Sequence, residues 1–218
     1  MNSADASTKR LSRPGPAEAG RDAVLSAAAA EFVKHGFVAT SMDGIADALG
    51  STKGRVYHYY RGKAEIFLDV VLRGMRDLLE MIEPIVEDSA VPAVERLERM
   101  VRSHALCMME VSNPQRVAVQ LVQYRSMPEL AGHQETTGMI IELRRQYERA
   151  FRDVIEETVA AGDAPKLDAS LAAKSMLGAL NWIPIWFDPE RAVAYEVVRI
   201  AEFFSETALR SLGVRSGD

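Results

Sequence analysis

The chain of 218 residues contains one cysteine, Cys107, so no internal disulfide framework holds it together and a reducing compartment suits it. No apolar run approaches the ~18–20 residues of a membrane span. Met1 to Arg13 is polar and lacks the apolar core of a secretory signal, so a cytoplasmic protein is expected. The four histidines, His35, His58, His104 and His133, show no metal-pair spacing. There is no phosphate-cradling P-loop, no dinucleotide-binding glycine fingerprint and no Gly-x-Ser-x-Gly elbow. These absences argue against an enzyme. No cofactor, metal ligand or catalytic residue is expected.

What is present is a helical chain with unevenly placed charge. The net charge of −5 taken alone argues against a nucleic-acid partner. Residues 1–63, however, hold nine Lys and Arg against six Asp and Glu, and the remainder holds 17 against 25. A basic head on an acidic body presents one end to a polyanion.

Periodicity predicts an all-α protein of nine helices. Residues 1–16, with Lys9, Arg10 and Arg13 among Ser, Pro and Gly, read as a flexible basic arm whose cations add DNA contacts. A helix from Ala17 to His35 places Val24, Leu25, Ala28, Phe32 and Val33 at three- and four-residue steps, and Gly36 ends it. Thr40 or Ser41 caps a short helix from Met42 to Leu49, and Gly50 breaks it. A third helix spans Ser51 to Tyr59, and a fourth runs from Lys63 to Ile82 with Pro84 beyond. Five more are expected at about 92–111, 115–126, 129–161, 168–186 and 189–212. Pro184 should kink the eighth near its end.

A helix, a glycine turn and a short exposed helix make a DNA-reading device when the second helix has a polar face. The third helix has one. Ser51 and Thr52 can donate to phosphate at its start, Lys53 can reach a base or phosphate, Gly54 permits close backbone approach, and Tyr57 and His58 can touch phosphates or thymine methyls. The order Ala28-x3-Phe32-x3-Gly36-Phe37-x2-Thr40-Ser41-Met42-x2-Ile45-Ala46-x2-Leu49-Gly50-x-Thr52-Lys53-Gly54-x-Val56-Tyr57-x-Tyr59-Tyr60-x2-Lys63-x-Glu65 resembles the N-terminal signature of the TetR family of bacterial regulators. Ser51 departs from it where an aliphatic residue is usual, and Tyr60 where phenylalanine is commoner.

The resemblance implies an arm at 1–16, a three-helix DNA head at 17–62 and a ligand-binding and dimerisation domain at 63–218. It implies DNA contacts at Thr40, Ser41, Thr52, Lys53, Gly54, Tyr57, His58 and Lys63. For Tyr59 and Tyr60 core packing is the favoured reading. The partners implied are a double-stranded, palindromic operator, a second copy of the chain, and a small effector that releases DNA. No membrane is involved. The last two helices should pair between subunits, with Ala194, Val197, Val198, Ala201 and Phe204 suited to a partner helix.

Effector residues are harder to place. Cys107, Met108 and Met109, with Met127 and Met139, suit either an adaptable pocket or an ordinary core. Asn181-Trp182, followed by Trp186-Phe187, fits an aromatic dimer seam, and it also resembles the TetR subgroup that senses acyl-CoA thioesters of lipid, sterol or aromatic catabolism. A CoA ligand needs cations, for which Arg125, Arg144, Arg145 and Arg149 are candidates. The effector set expected is Met108, Arg125, Arg145, Asn181, Trp182 and Trp186. The competing readings are a TetR-type sensor of hydrophobic drugs, or a helical binding or catalytic protein that does not act through DNA.

Overall fold

The computed structural model describes residues 15–110, 114, 116–118, 128–189 and 191–214. Among them every regular element is a helix: α1 (Pro16–Ala39), α2 (Met42–Ala48), α3 (Lys53–Tyr59), α4 (Lys63–Val86), α5 (Ala93–Met109), a 3-10 turn (Pro128–Leu130), α6 (Gln134–Ala160), α7 (Ala169–Asn181), the single turn α8 (Ile183–Trp186) and α9 (Ala194–Ser211). The expected helix at 115–126, the basic arm and Arg125 lie outside the described residues, apart from helical backbone at Arg116–Ala118.

Local chemistry sets most boundaries. Gly36 takes φ 74° and kinks α1 near its end, a conformation that glycine adopts without a Cβ penalty. Ser41 caps α2 by accepting from the Gly44 amide at 3.0 Å, and Asp168 caps α7 by accepting from Leu171 at 3.0 Å. Three boundaries differ from expectation. α4 continues through Pro84 to Val86, because a proline in the last turn forfeits one hydrogen bond and its ring stays exposed. α6 begins at Gln134, after the 3-10 turn and Gly132. The eighth predicted helix divides at Trp182, and Pro184 falls in the first turn of α8, where its missing N–H leaves nothing unpaired.

The core runs through the whole molecule along α4. Near its start, Ile66, Phe67 and Val70 are buried against α1. Phe67 lies edge-on to Phe32 at 5.2 Å and against Phe37 at 4.7 Å between ring centroids. Further along, Leu78 and Ile82 are buried where α4 packs on α5 and α6. Helix α9 packs chiefly on α5, with Ala201, Ser205 and Ala208 inward.

Replacing Phe67 with Ala empties the space between Phe32 and Phe37. The expected loss is about 3–5 kcal/mol of stability, read by urea unfolding. A loss under about 1 kcal/mol would show that the three rings do not share one core.

Candidate functional site

The turn between α2 and α3 is built by its backbone. Gly50 has φ 64°, its amide bonds to the Asp47 carbonyl at 2.9 Å, and the Ser51 amide bonds to the Ala46 carbonyl at 3.0 Å. This closes α2 and sends the chain outward into α3. Of the seven residues of α3, Val56 is buried and Tyr59 half-buried. Thr52, Lys53, Gly54, Arg55, Tyr57 and His58 are exposed together. Tyr57 leaves a ring 48% exposed, an unusual disposition for an aromatic unless something covers it. Residues 51–63 include Lys53, Arg55, Arg61 and Lys63 but no Asp or Glu. The face is therefore cationic, hydroxyl-rich and free of its own carboxylates. The nearest restraint is Asp43 on α2, 2.9 Å from Lys53 Nζ, which raises the lysine's pKa and keeps it charged.

The eight residues expected at DNA do not all join this face. Thr40 is 3% exposed, and its hydroxyl donates to the Gly36 carbonyl at 2.8 Å, closing the kinked end of α1. Lys63 is half-buried: its ammonium donates to the Val38 carbonyl at 3.1 Å and sits 4.6 Å over the Phe37 ring. Ser41 is exposed but serves as the α2 cap. Thr52, Lys53, Gly54, Tyr57 and His58 remain contiguous. Arg55, which lies on the same face, was not among the expected residues although its position beside Gly54 marked it.

Behind α3 the head is latched to α4. Tyr60 is buried, as expected of a packing residue. Its hydroxyl accepts from Arg21 Nε at 2.9 Å and donates to Asp69 Oδ2 at 3.2 Å, while Arg21 also pairs directly with Asp69. Burial raises the Tyr60 pKa, so the phenol stays protonated and can donate. A second pair, Arg73 with Asp22 at 3.2 Å, joins the same two helices one turn further along.

In the body, three helices contribute one polar cluster. His104 on α5 is buried between Tyr147 on α6 and Asn181 at the end of α7. Asn181 Oδ1 accepts from Nε2–H at 3.2 Å, which leaves Nδ1 to accept the Tyr147 hydroxyl proton at 2.8 Å. Burial lowers the His104 pKa to about 4, and the Asn181 bond opposes this only in part. The polar partner that Asn181 requires is thus His104, 77 residues away in sequence.

The other effector candidates scatter. Met108 is fully buried in α5. Arg145 is exposed on α6 with Glu142 at 4.0 Å. Trp182 and Trp186 are exposed, and Trp186 lies nearly parallel to Phe204, 6.4 Å away. Leu171, Ile185, Val193, Tyr195, Val198 and Phe203, on and around α7, α8 and α9, are likewise large apolar residues left exposed. The α9 stripe expected to meet a partner is covered in part: Ala194 and Val198 are exposed. Ala201 is buried, Val197 and Phe204 are half-buried, and Tyr195 and Phe203 on the neighbouring flank are exposed.

Comparison with known proteins agrees with this architecture. Residues 24–70 match the profile described as "Bacterial regulatory proteins, tetR family", and residues 90–212 match "Tetracyclin repressor-like, C-terminal domain". The chain is similar to the HTH-type transcriptional repressor KstR2 of Mycobacterium tuberculosis, 27% identical over 177 residues, covering 80% of this chain and 84% of the relative. The crystal structure of the TetR family regulator PfmR from Thermus thermophilus superposes with a TM-score of 0.70 at 27% identity, covering 86% of this chain and 97% of that one. AibR in complex with isovaleryl coenzyme A and operator DNA superposes with a TM-score of 0.71 at 24% identity, over 88% of this chain and 97% of that one, a likeness of fold.

The His104 cluster makes stability depend on pH. The folded pKa of about 4 lies below the unfolded value near 6.5, so protons favour the unfolded chain between them. Stability is complete above about pH 6.5 and is lost as the pH falls towards about 4, by about 3 kcal/mol in full. His104→Gln should flatten that part of the pH profile of unfolding. An unchanged slope in the variant would show that other groups cause it.

Proposed function

This chain belongs to the TetR family of bacterial regulatory proteins, and from that premise we propose that it is a ligand-responsive, sequence-specific DNA-binding repressor, acting as a homodimer on a palindromic operator. The observation that carries the reading is the exposed, carboxylate-free face of α3. Thr52, Lys53, Gly54, Tyr57 and His58, with Arg55, are its proposed operator contacts. Backbone phosphates take the cations and hydroxyls, and base edges or thymine methyls take Tyr57 and His58. Residues 17–62 form the reading head in this account, and residues 63–218 the sensing and dimerising body. It acts in the cytoplasm, on the chromosome, and is not an enzyme.

The exposed apolar surface of α7, α8 and α9 is the proposed dimer interface. Eight large hydrophobic residues are exposed on and around these helices, and a second copy docked there would remove them from water. The effector is an acyl-CoA thioester of lipid, sterol or aromatic catabolism. The sequence Asn181-Trp182 with Trp186-Phe187 supports this class, and the fold is one that in AibR was solved with isovaleryl coenzyme A and operator DNA together. Release of DNA requires that the effector bind the DNA-incompetent arrangement more tightly. Helix α4 carries the change. A polar cleft of about 700 Å³ between Arg61, Glu65 and Asp69 on one side and Gly132, His133 and Thr136 on the other leaves room for the head to shift.

Footprinting with the purified full chain on DNA upstream of its own gene tests the reading. A protected, two-fold symmetric site is expected. Binding that is salt-sensitive but indifferent to sequence would contradict it. Lys53→Ala should weaken operator binding about tenfold and reduce the salt slope by about one, with the fold intact by circular dichroism. Tyr57→Ala should weaken it comparably with little change in slope. Unchanged affinity in both would remove α3 as the reading helix.

The dimer is tested separately. Phe203→Glu places a charge in the proposed apolar seam. Light scattering should report a monomer, and operator affinity should fall with it. A variant that remains dimeric would place the interface elsewhere.

A further inference from the structure

Two arginines of the body are buried to the same extent, each 7% exposed, and they are satisfied very differently. Arg96 on α5 has a complete set of partners. Its Nε donates to the Val91 carbonyl at 3.2 Å, its Nη1 to the Val86 carbonyl at 2.7 Å, and its Nη2 pairs with the Glu157 carboxylate. This is how the chain neutralises a buried cation when it has a structural purpose.

Arg116 lacks that completion. Its Nε is buried with no hydrogen-bond partner. Its Nη1 donates to the Glu110 carbonyl at 3.2 Å and its Nη2 to the Pro184 carbonyl at a long 3.5 Å. Among the described residues no carboxylate lies within ion-pair distance of it. The stretch 111–127 around it carries no Asp or Glu of its own. Desolvation lowers its pKa, yet a guanidinium stays charged in a protein. A buried cation that no described carboxylate pairs with, and whose Nε has no partner, is a destabilising feature unless an anion completes it.

Its position gives the feature a use. The side chain reaches from the Glu110 carbonyl just beyond α5 to the Pro184 carbonyl in the α8 turn. We propose that Arg116 is the anchor for an anionic group, a carboxylate or a phosphate, of an effector seated between the end of α5 and α8. This rests on the reading of the body as an effector-binding domain. A planar guanidinium holds either oxyanion through two donors at once, which a lysine cannot do. Bound there, the anion ties α5 to the helix that leads into the proposed dimer face.

The test uses the full chain and begins without ligand. Arg116→Met should leave the melting temperature unchanged or raise it, because an uncompensated charge is replaced by an apolar side chain. Arg96→Met should lower it by at least about 3 °C, because Glu157 and two carbonyls lose their donor. A fall of about 3 °C or more in Arg116→Met would overturn the proposal, since the guanidinium would then be structurally compensated. The second arm adds sodium decanoate, decanoyl-CoA or methyl decanoate at about 1 mM. One or both anionic probes should raise the wild-type melting temperature, the ester should not, and Arg116→Gln should abolish the shift. Which anion acts distinguishes carboxylate from phosphate. An equal shift in Arg116→Gln, equal stabilisation by the ester, or no shift with any probe would overturn the anchor. Footprints of ligand-free Arg116→Gln and wild type should match. A wild type that gives no footprint contradicts the repressor reading alone, and the melting curves still judge Arg116.

Discussion

Helix α4 carries one apolar stripe that two sets of helices cover. Its first two turns close the core of the head, where Phe67 fits between Phe32 and Phe37. Its later turns close the core of the body, with Leu78 and Ile82 buried. The head without α4 is a three-helix piece of fewer than fifty residues, close to the size at which a single core fails to hold. Its stability is therefore borrowed from the helix that also belongs to the body. The paired charges on the same seam, Asp22 with Arg73 and Asp69 with Arg21 and Tyr60, fix the angle at which α1 meets α4. Exposed pairs of this kind contribute little energy and mainly set geometry. A tilt of α4 is passed to α3 through Tyr60, which follows α3 and bonds to Asp69 of α4.

The reading face follows from that rigid support. Gly50 turns the chain, Ser41 fixes the start of α2, and Val56 with Tyr60 fasten α3 from beneath. The cations on the face then point away from the body, whose acidic excess disfavours approach of DNA from any other side. Asp43 holds Lys53 extended in the free protein, and a phosphate competing for the same ammonium has only an exposed ion pair to displace.

Local features were legible in the sequence to the extent that they are local. Gly36 and Gly50, expected to end helices, both show positive φ, although at Gly36 α1 kinks and continues to Ala39, and Pro184 divides the helix it was expected to disturb. The spacing from Ala28 to Glu65 sufficed for the head, because a helix-turn-helix is a short-range device. What sequence could not place was decided by tertiary contacts. Thr40 and Lys63 look like free donors until the carbonyls of Gly36 and Val38 are seen to claim them. His104, Tyr147 and Asn181 come from three helices, and no periodicity links positions 43 and 77 residues apart. An apolar face does not say which neighbour covers it: of the α9 stripe, Ala201 is buried within the chain while Ala194 and Val198 stay exposed. Arg116 resembles any surface arginine in sequence, and its burial with an unpartnered Nε is visible only in three dimensions.

The claim on which the account depends is that head and body form one cooperative unit through α4. Native-state hydrogen exchange across a series of urea concentrations tests it directly. Amides of α1 around Ala28 and Phe32 should open with the same free energy and the same urea dependence as amides of α5 around Leu97 and Val101. Exchange of the α1 amides through a separate, lower-energy opening, while α5 stays protected, would contradict it.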